Sequence, residues 1–236
     1  AGLEAEGVRV CVADDTPEPP KPDAVFPNNW VSFHADGTLV LYPLQPASRR
    51  PERREAIVQQ ACRELGYAPR RRIDLTPHER EGRFLEGTGS LVLDPRLRRA
   101  YACLSPRTDL ALLHEWCALL DYEPVAFRAT DAGGVPWYHT NVMMCIGTGF
   151  TLVAAESIEP QDRERVLASL ADSGRELIAI DRGAVGGFAG NMLELAASDE
   201  ALGDVRVLVM SERARRAVEG DAWRRLSASV DSVLVV

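Results

Sequence analysis

A helix followed by a strand recurs four times along this chain, and that periodicity confines it to architectures that stack one supersecondary unit on the next. Residues 52–65 place Ile57, Ala61, Cys62 and Leu65 on one helical face, and Gly66 and Tyr67 then lead into a strand reaching Leu75. The same order returns as helix 110–120 with strand 124–129, helix 163–170 with strand 176–180, and helix 214–226 with strand 230–236. Between one helix-plus-strand and the next helix lie a polar loop and two more apolar runs, such as 90–93 with 100–104 and 142–146 with 151–155. Each unit therefore reads as ββαβ. Ahead of them stand an expected strand at 8–13 and a proline-rich turn at 16–22. Pro, Gly and Asp clusters are short and evenly spread, so residues 1–236 are expected to form one domain.

The polar loops fall at corresponding places in the units: Asp23 with Asn28 and Asn29, then Glu86, then His139, then Asn191. If the units circle an axis, these loops meet at its mouth and surround one pocket with carboxylates, an imidazole and amides. Taken singly, each has a plainer explanation as a turn former, a surface acid or a satisfied interior histidine. Their shared place in the repeat favours a site.

Of the 236 residues 46% are hydrophobic and 26% charged, enough for a sizeable core and too few charges for a disordered chain. The net charge of −8, with acids spread among the Arg49, Arg50, Arg53, Arg54 and Arg70, Arg71, Arg72 clusters, argues against nucleic acid as a partner. No apolar run is long enough to span a bilayer and no signal pattern opens the chain, so no membrane partner and a cytoplasmic location are expected. The five cysteines, Cys11, Cys62, Cys103, Cys117 and Cys145, show no CxxC or Cys/His spacing, and each reads as a small buried hydrophobe. Neither a metal nor an organic cofactor is expected. Oligomeric state is not legible.

Six segments in order, DAVFPNNWVSFHADGTLVLYP (23–43), SRRPERR (48–54), LEGTGSLVLD (85–94), AYACLSPRTD (100–109), YHTNVMMC (138–145) and FAGNMLEL (188–195), resemble the arginine-deiminase-related branch of the amidinotransferase superfamily. The resemblance implies the α/β fold of that superfamily, a five-fold α/β propeller (pentein) of ββαβ units. It also implies a chemistry: a thiolate attacks the central carbon of a guanidinium or ureido group, while an imidazole moves protons at the leaving amine and incoming water. His139 matches the imidazole and Glu86 the acid that holds it. Asp23 lies in the substrate-facing acidic loop with Asn28 and Asn29, Arg107 resembles the residue that receives an amino-acid carboxylate, and Arg49 or Arg50 is expected to close that end of the pocket unless both are solvated. The implied partner is a small-molecule amino-acid substrate, arginine or citrulline.

Two departures from the family pattern bear on function. Asn28 and Asn29 stand where many guanidinases carry acids, and an amide, unlike a carboxylate, also suits a neutral ureido group. No cysteine occupies the expected place in a final loop, and the opening strand is not seen either, so the chain is expected to be clipped at both ends with its nucleophile beyond Val236. Cys145, the cysteine nearest His139 in sequence, falls in a strand-like run. The expected activity is hydrolysis of a guanidino or ureido C–N bond, with amidino transfer or non-catalytic ligand binding as alternatives.

Overall fold

The computed structural model describes residues 2–199 and 203–236. Four three-stranded sheets share one connectivity: an antiparallel hairpin, a helical crossover, and a third strand parallel to the hairpin's second strand on its far side. In the first, β1 (Val31–Phe33) and β2 (Thr38–Leu41) are followed by α1 (Glu55–Leu65) and β3 (Arg71–Asp74). The second is β4 (Val92–Asp94), β5 (Arg99–Cys103), α2 (Leu110–Leu120) and β6 (Glu123–Phe127), and the third is β7 (Met144–Ile146), β8 (Phe150–Val153), α3 (Pro160–Ala171) and β9 (Glu176–Ala179). The fourth is β10 (Met192–Asp199), β11 (Gly203–Met210), α4 (Glu212–Ala217), α5 (Gly220–Ala228) and β12 (Ser232–Val235). β2 and β8 are paired on both edges and buried along their whole length, which is why they read as unbroken apolar runs and not as alternating strands.

Helix ends follow from local chemistry. Asp109 caps α2 by accepting the Leu112 amide at 2.9 Å, and α2 sends Leu112, Leu113, Trp116, Cys117 and Leu120 into the core. Helix α1 stops at Gly66, whose φ of 69° is the left-handed conformation glycine adopts without strain. The first helix was expected from residue 52, but residues up to Glu52 form a 3₁₀ turn containing Pro51, and the α-helix begins at Glu55. The expected single helix 214–226 is two helices, because Val218 leaves helical angles (φ −101°, ψ 106°) and Gly220 follows at φ 57°. Residues 8–13 form no strand: Val12 is 73% exposed, and the segment lies along α1 through Gln60 Nε2 to Val12 O at 2.9 Å and Arg9 Nη2 to Leu65 O at 3.1 Å.

A short helical turn precedes the first strand of each sheet: Pro27–Asn29, Gly87–Ser90, Thr140–Val142, and Arg182–Val185 with the loop to Asn191. The Gly87–Ser90 turn packs between Pro27–Asn29 and Thr140–Val142. Gly190 lies so close to the Met143 and Met144 backbone that a Cβ there would sit 2.6 Å from it. The repeat thus carries side chains from three successive units to one place.

Candidate active site

The Gly87–Ser90 turn fixes Glu86 in an almost solvent-free position. Its carboxylate Oε2 accepts from His139 Nε2 at 2.7 Å, and both residues are buried. Oε1 accepts the Gln45 amide at 2.9 Å, and Arg107 Nη1 approaches Oε2 at 3.4 Å. Burial works to raise the Glu86 carboxyl, but the His139 hydrogen bond, the Gln45 amide and Arg107 outweigh it and hold it below its usual range. Burial pushes the His139 imidazole down, against the pull of Glu86, and Arg107 and Arg49 add to the effect. An ionised Glu86 has no proton to give, so Nε2 carries the hydrogen and Nδ1 keeps a free lone pair.

The hydrogen bonds around this pair tie three stretches of backbone together, 86–90, 103–107 and Thr140. Ser90 Oγ accepts the Glu86 amide at 2.9 Å and donates to Arg107 O at 2.9 Å, while Thr140 Oγ1 donates to Ser90 O at 2.6 Å and accepts the Cys103 amide at 2.7 Å. Arg107 lies over the Tyr138 ring at 5.2 Å, and that ring is 4.9 Å from His139. Arg107 remains about one-third open to solvent, with its side chain 30% exposed, so it can meet a ligand.

Asn29 is buried beside the pair. Asn29 Nδ2 is 2.6 Å, and His139 Nδ1 and Cε1 are 2.7 Å, from the point a Cβ on Gly89 would occupy, so glycine is required between them. Arg49, expected either to close the pocket or to be solvated, is instead buried with Glu52: Nε and Nη2 each donate to a Glu52 oxygen at 2.9 Å, and Nη1 donates to Asn29 Oδ1 at 2.8 Å. Burial disfavours the Arg49 cation, yet the Glu52 contacts outweigh that and raise its pKa. Arg50 stays at the surface side, paired with Glu79 at 3.2 Å. Asp23 is half exposed, its carboxylate 3.8 Å from Arg49 Nε, and Asn28 Nδ2 donates to Thr88 Oγ1 at 3.1 Å.

Asn29, Glu86, Arg107 and His139 therefore come together, with Asp23 and Asn28 on the adjoining loop. Asn191 is exposed, and among the described residues its side chain has no hydrogen bond to this group. Sequence reasoning missed Gln45, Glu52, Ser90, Tyr138 and Thr140. Only Tyr138 and Thr140, flanking His139, and Ser90, closing the GTGS turn, left a signal of place. None of the cysteines offers a thiolate here. Cys103, Cys117 and Cys145 are buried with thiols pushed up to about 12, and the Cys103 and Cys145 sulfurs face the carbonyls of Trp137 at 3.7 Å and Met192 at 3.2 Å. Cys11 and Cys62 are half-buried and flank α1 or lie on it. Among the described residues no group of three or more His, Cys, Asp or Glu could hold a metal, and no helix is long and apolar enough to cross a membrane.

The fold is shared with enzymes of known structure. Apo ArgZ, an arginine dihydrolase from the ornithine-ammonia cycle in Cyanobacteria, superposes with a TM-score of 0.66 at 18% identity over 93% of this chain and 31% of its own. A cysteine-to-alanine variant of AgrE bound to L-arginine gives 0.65 at 21% identity over 91% of this chain and 28% of its own. A cysteine-to-serine variant of DDAH from Pseudomonas aeruginosa complexed with citrulline gives 0.60 at 15% identity over 91% of this chain and 69% of its own. The chain thus spans about a third of the length of ArgZ and AgrE. No curated protein is similar enough in sequence to match it. The family described as N,N dimethylarginine dimethylhydrolase, eukaryotic, matches residues 1–236 from end to end. With four ββαβ sheets, a buried carboxylate–imidazole pair at their junction and that full-length match, the chain belongs to the N,N-dimethylarginine dimethylhydrolase family of the pentein amidinotransferase and arginine-deiminase-related superfamily.

Proposed function

We propose that these residues are the substrate-binding and proton-transfer part of a hydrolase acting on the guanidino or ureido C–N bond of a free amino acid, arginine or citrulline. The observation that carries this reading is the 2.7 Å contact between buried Glu86 and His139, with a lone pair left on Nδ1 beside Asn29. A neutral imidazole oriented by a carboxylate is the group that takes a proton from water and returns one to the leaving amine. Glu86 holds the ring, Arg107 receives the substrate carboxylate and Asp23 and Asn28 line the entrance, while Asn191 stands exposed. The nucleophilic thiolate comes from sequence beyond these 236 residues, since each cysteine within them is either sealed in the core or set against α1. A fifth unit would complete the propeller, and the 236 residues act as one catalytic domain in the cytoplasm. ArgZ as an arginine dihydrolase, AgrE with arginine and DDAH with citrulline support the substrate class.

The test is product analysis. A polypeptide extended past Val236 to include the family's cysteine should release ammonia with ornithine or citrulline from L-citrulline or L-arginine. The 236-residue protein should bind these ligands with almost no turnover, because removing the nucleophile abolishes the covalent step and leaves the pocket. Equal rates in the two forms would show that a cysteine within the chain attacks.

A further inference from the structure

Glu86 is closed to solvent, and among the described residues the hydrogen bond to its Oε1 comes from the Gln45 amide at 2.9 Å. That N–H belongs to the Leu44–Gln45 peptide unit, which is held from its other side: Arg50 Nε donates to Leu44 O at 3.2 Å and lies 3.2 Å from Glu79 Oε2. Glu79, in the 3₁₀ turn Thr76–Glu81, also accepts the Leu44 amide on Oε1 at 2.8 Å. It grips Arg53 in a fork, with Nη1 on Oε1 at 2.6 Å and Nη2 on Oε2 at 3.1 Å, and Arg53 in turn donates to Tyr42 O at 3.3 Å. The Glu79 side chain is 11% exposed, Leu44 is buried, and Pro43 and Pro46 stiffen the chain on either side of the peptide. Glu79 is thus the hub of the contacts that hold residues 42–45 and aim one backbone N–H at Glu86.

Resting on the hydrolase reading above, we propose that Glu79 is a positioning residue: through the Leu44–Gln45 peptide it keeps the Glu86 carboxylate ionised and turned toward His139. A peptide whose carbonyl accepts from a guanidinium is a stronger N–H donor. A carboxylate pinned at Oε1 also keeps Oε2 on His139 Nε2. His139 and Arg107 face Glu86 from two other loops and Arg49 acts on it from the 47–52 turn, and all three stay in place when Glu79 is changed. What is lost is the amide, and a buried oxygen without its donor favours the protonated acid.

A ¹³C-carboxyl NMR titration of Glu86 in the 236-residue protein, assigned with Glu86→Gln, tests this in Glu79→Ala and Glu79→Asp. The Glu86 midpoint should rise by about one pH unit in Glu79→Ala, the scale of one hydrogen bond lost from a charged group. Removing a nearby negative charge would by itself lower that midpoint, so the direction separates lost positioning from an altered field. Glu79→Asp keeps the charge and withdraws the oxygens from Leu44 N, so it should raise the midpoint too, and it decides alone should Glu79→Ala fail to fold. An unmoved or lowered midpoint in either folded variant overturns the positioning role, and leaves the hydrolase reading standing if the wild-type chain extended past Val236 turns over citrulline or arginine. No turnover by that wild type overturns both.

Discussion

His139 and Glu86 form the buried 2.7 Å pair to which the proposed proton transfer is assigned, and their environment sets how that pair responds to pH. Loss of the imidazole in His139→Ala should lower turnover of the extended enzyme by about 10²–10⁴-fold, the usual contribution of general acid–base catalysis, in a steady-state assay. Burial lowers the folded-state pKa of His139 from its ordinary 6.5, so between those two values the unfolded chain binds the proton and the folded one does not. Stability is therefore lost as pH falls through that window, and Glu86, lowered from 4.5, continues the loss with the same sign at more acid pH. Melting curves should show Tm falling from about pH 7 to 5, with a flatter slope in His139→Gln. An equal slope would place the acid sensitivity elsewhere. These two residues were legible in the sequence because each has a chemistry-bearing side chain in a repeated loop. Gln45 was not, since it acts through its backbone amide, which any residue supplies.

At the level of elements, the repeat was readable and its edges were not. Helix 110–120 lies where the sequence places it, and the structure adds the reason for its start, the Asp109 cap. The 8–13 segment misled because alternating valines resemble a strand whether or not a partner strand exists, and here α1 takes that place. The 212–228 region kept helical periodicity across its break, and periodicity does not register the angles at Val218. The Gly87–Ser90 turn shows what sequence spacing cannot: Gly89 is needed for space and not for its backbone angle, since its φ is not in the left-handed region while that of Gly87 is 46°. Gly89→Ala would set a methyl 2.6 Å from Asn29 Nδ2 and 2.7 Å from the His139 ring. Both side chains must then shift, and displacement of that order costs about 10²-fold in rate. Kinetics of the extended enzyme should show kcat falling by that order in Gly89→Ala, with Tm changed far less. A large fall in Tm with normal kcat would mean the glycine serves folding alone.

Across the whole molecule, the site exists only if neighbouring units keep their relative positions, because Glu86 belongs to the second unit and His139 to the third. Their sheets are joined by a buried ion pair in which Arg175 Nη1 meets Asp94 Oδ2 at 2.5 Å and Nη2 meets Oδ1 at 3.1 Å. Tyr101 and Ser169 meet across the same junction at 3.0 Å, and Arg99 reaches Asp172 at 2.9 Å nearer the surface. Asp94 Oδ1 also accepts the amides of Arg96 and Leu97, at 3.0 and 3.2 Å, so the carboxylate holds the β4–β5 turn and the neighbouring unit together. Burial works to raise the Asp94 carboxyl, but the Arg175 contacts and the Leu97 and Arg96 amides together keep it below its usual range. Arg175→Ala leaves that carboxylate buried without its cation, which costs about 3–5 kcal/mol. For a chain of this size each kcal/mol is worth roughly 2–4 °C, so Tm should fall by on the order of 10 °C. Because the side chains of the pair are 3% and 1% exposed, added salt should leave that loss nearly unchanged. Asp172→Ala, at a pair exposed on one side, should cost less than about 1 kcal/mol and respond to salt. If Arg175→Ala melts within a degree or two of the wild type, the second and third units are held by their apolar contacts alone, and the Glu86–His139 distance owes nothing to this ion pair.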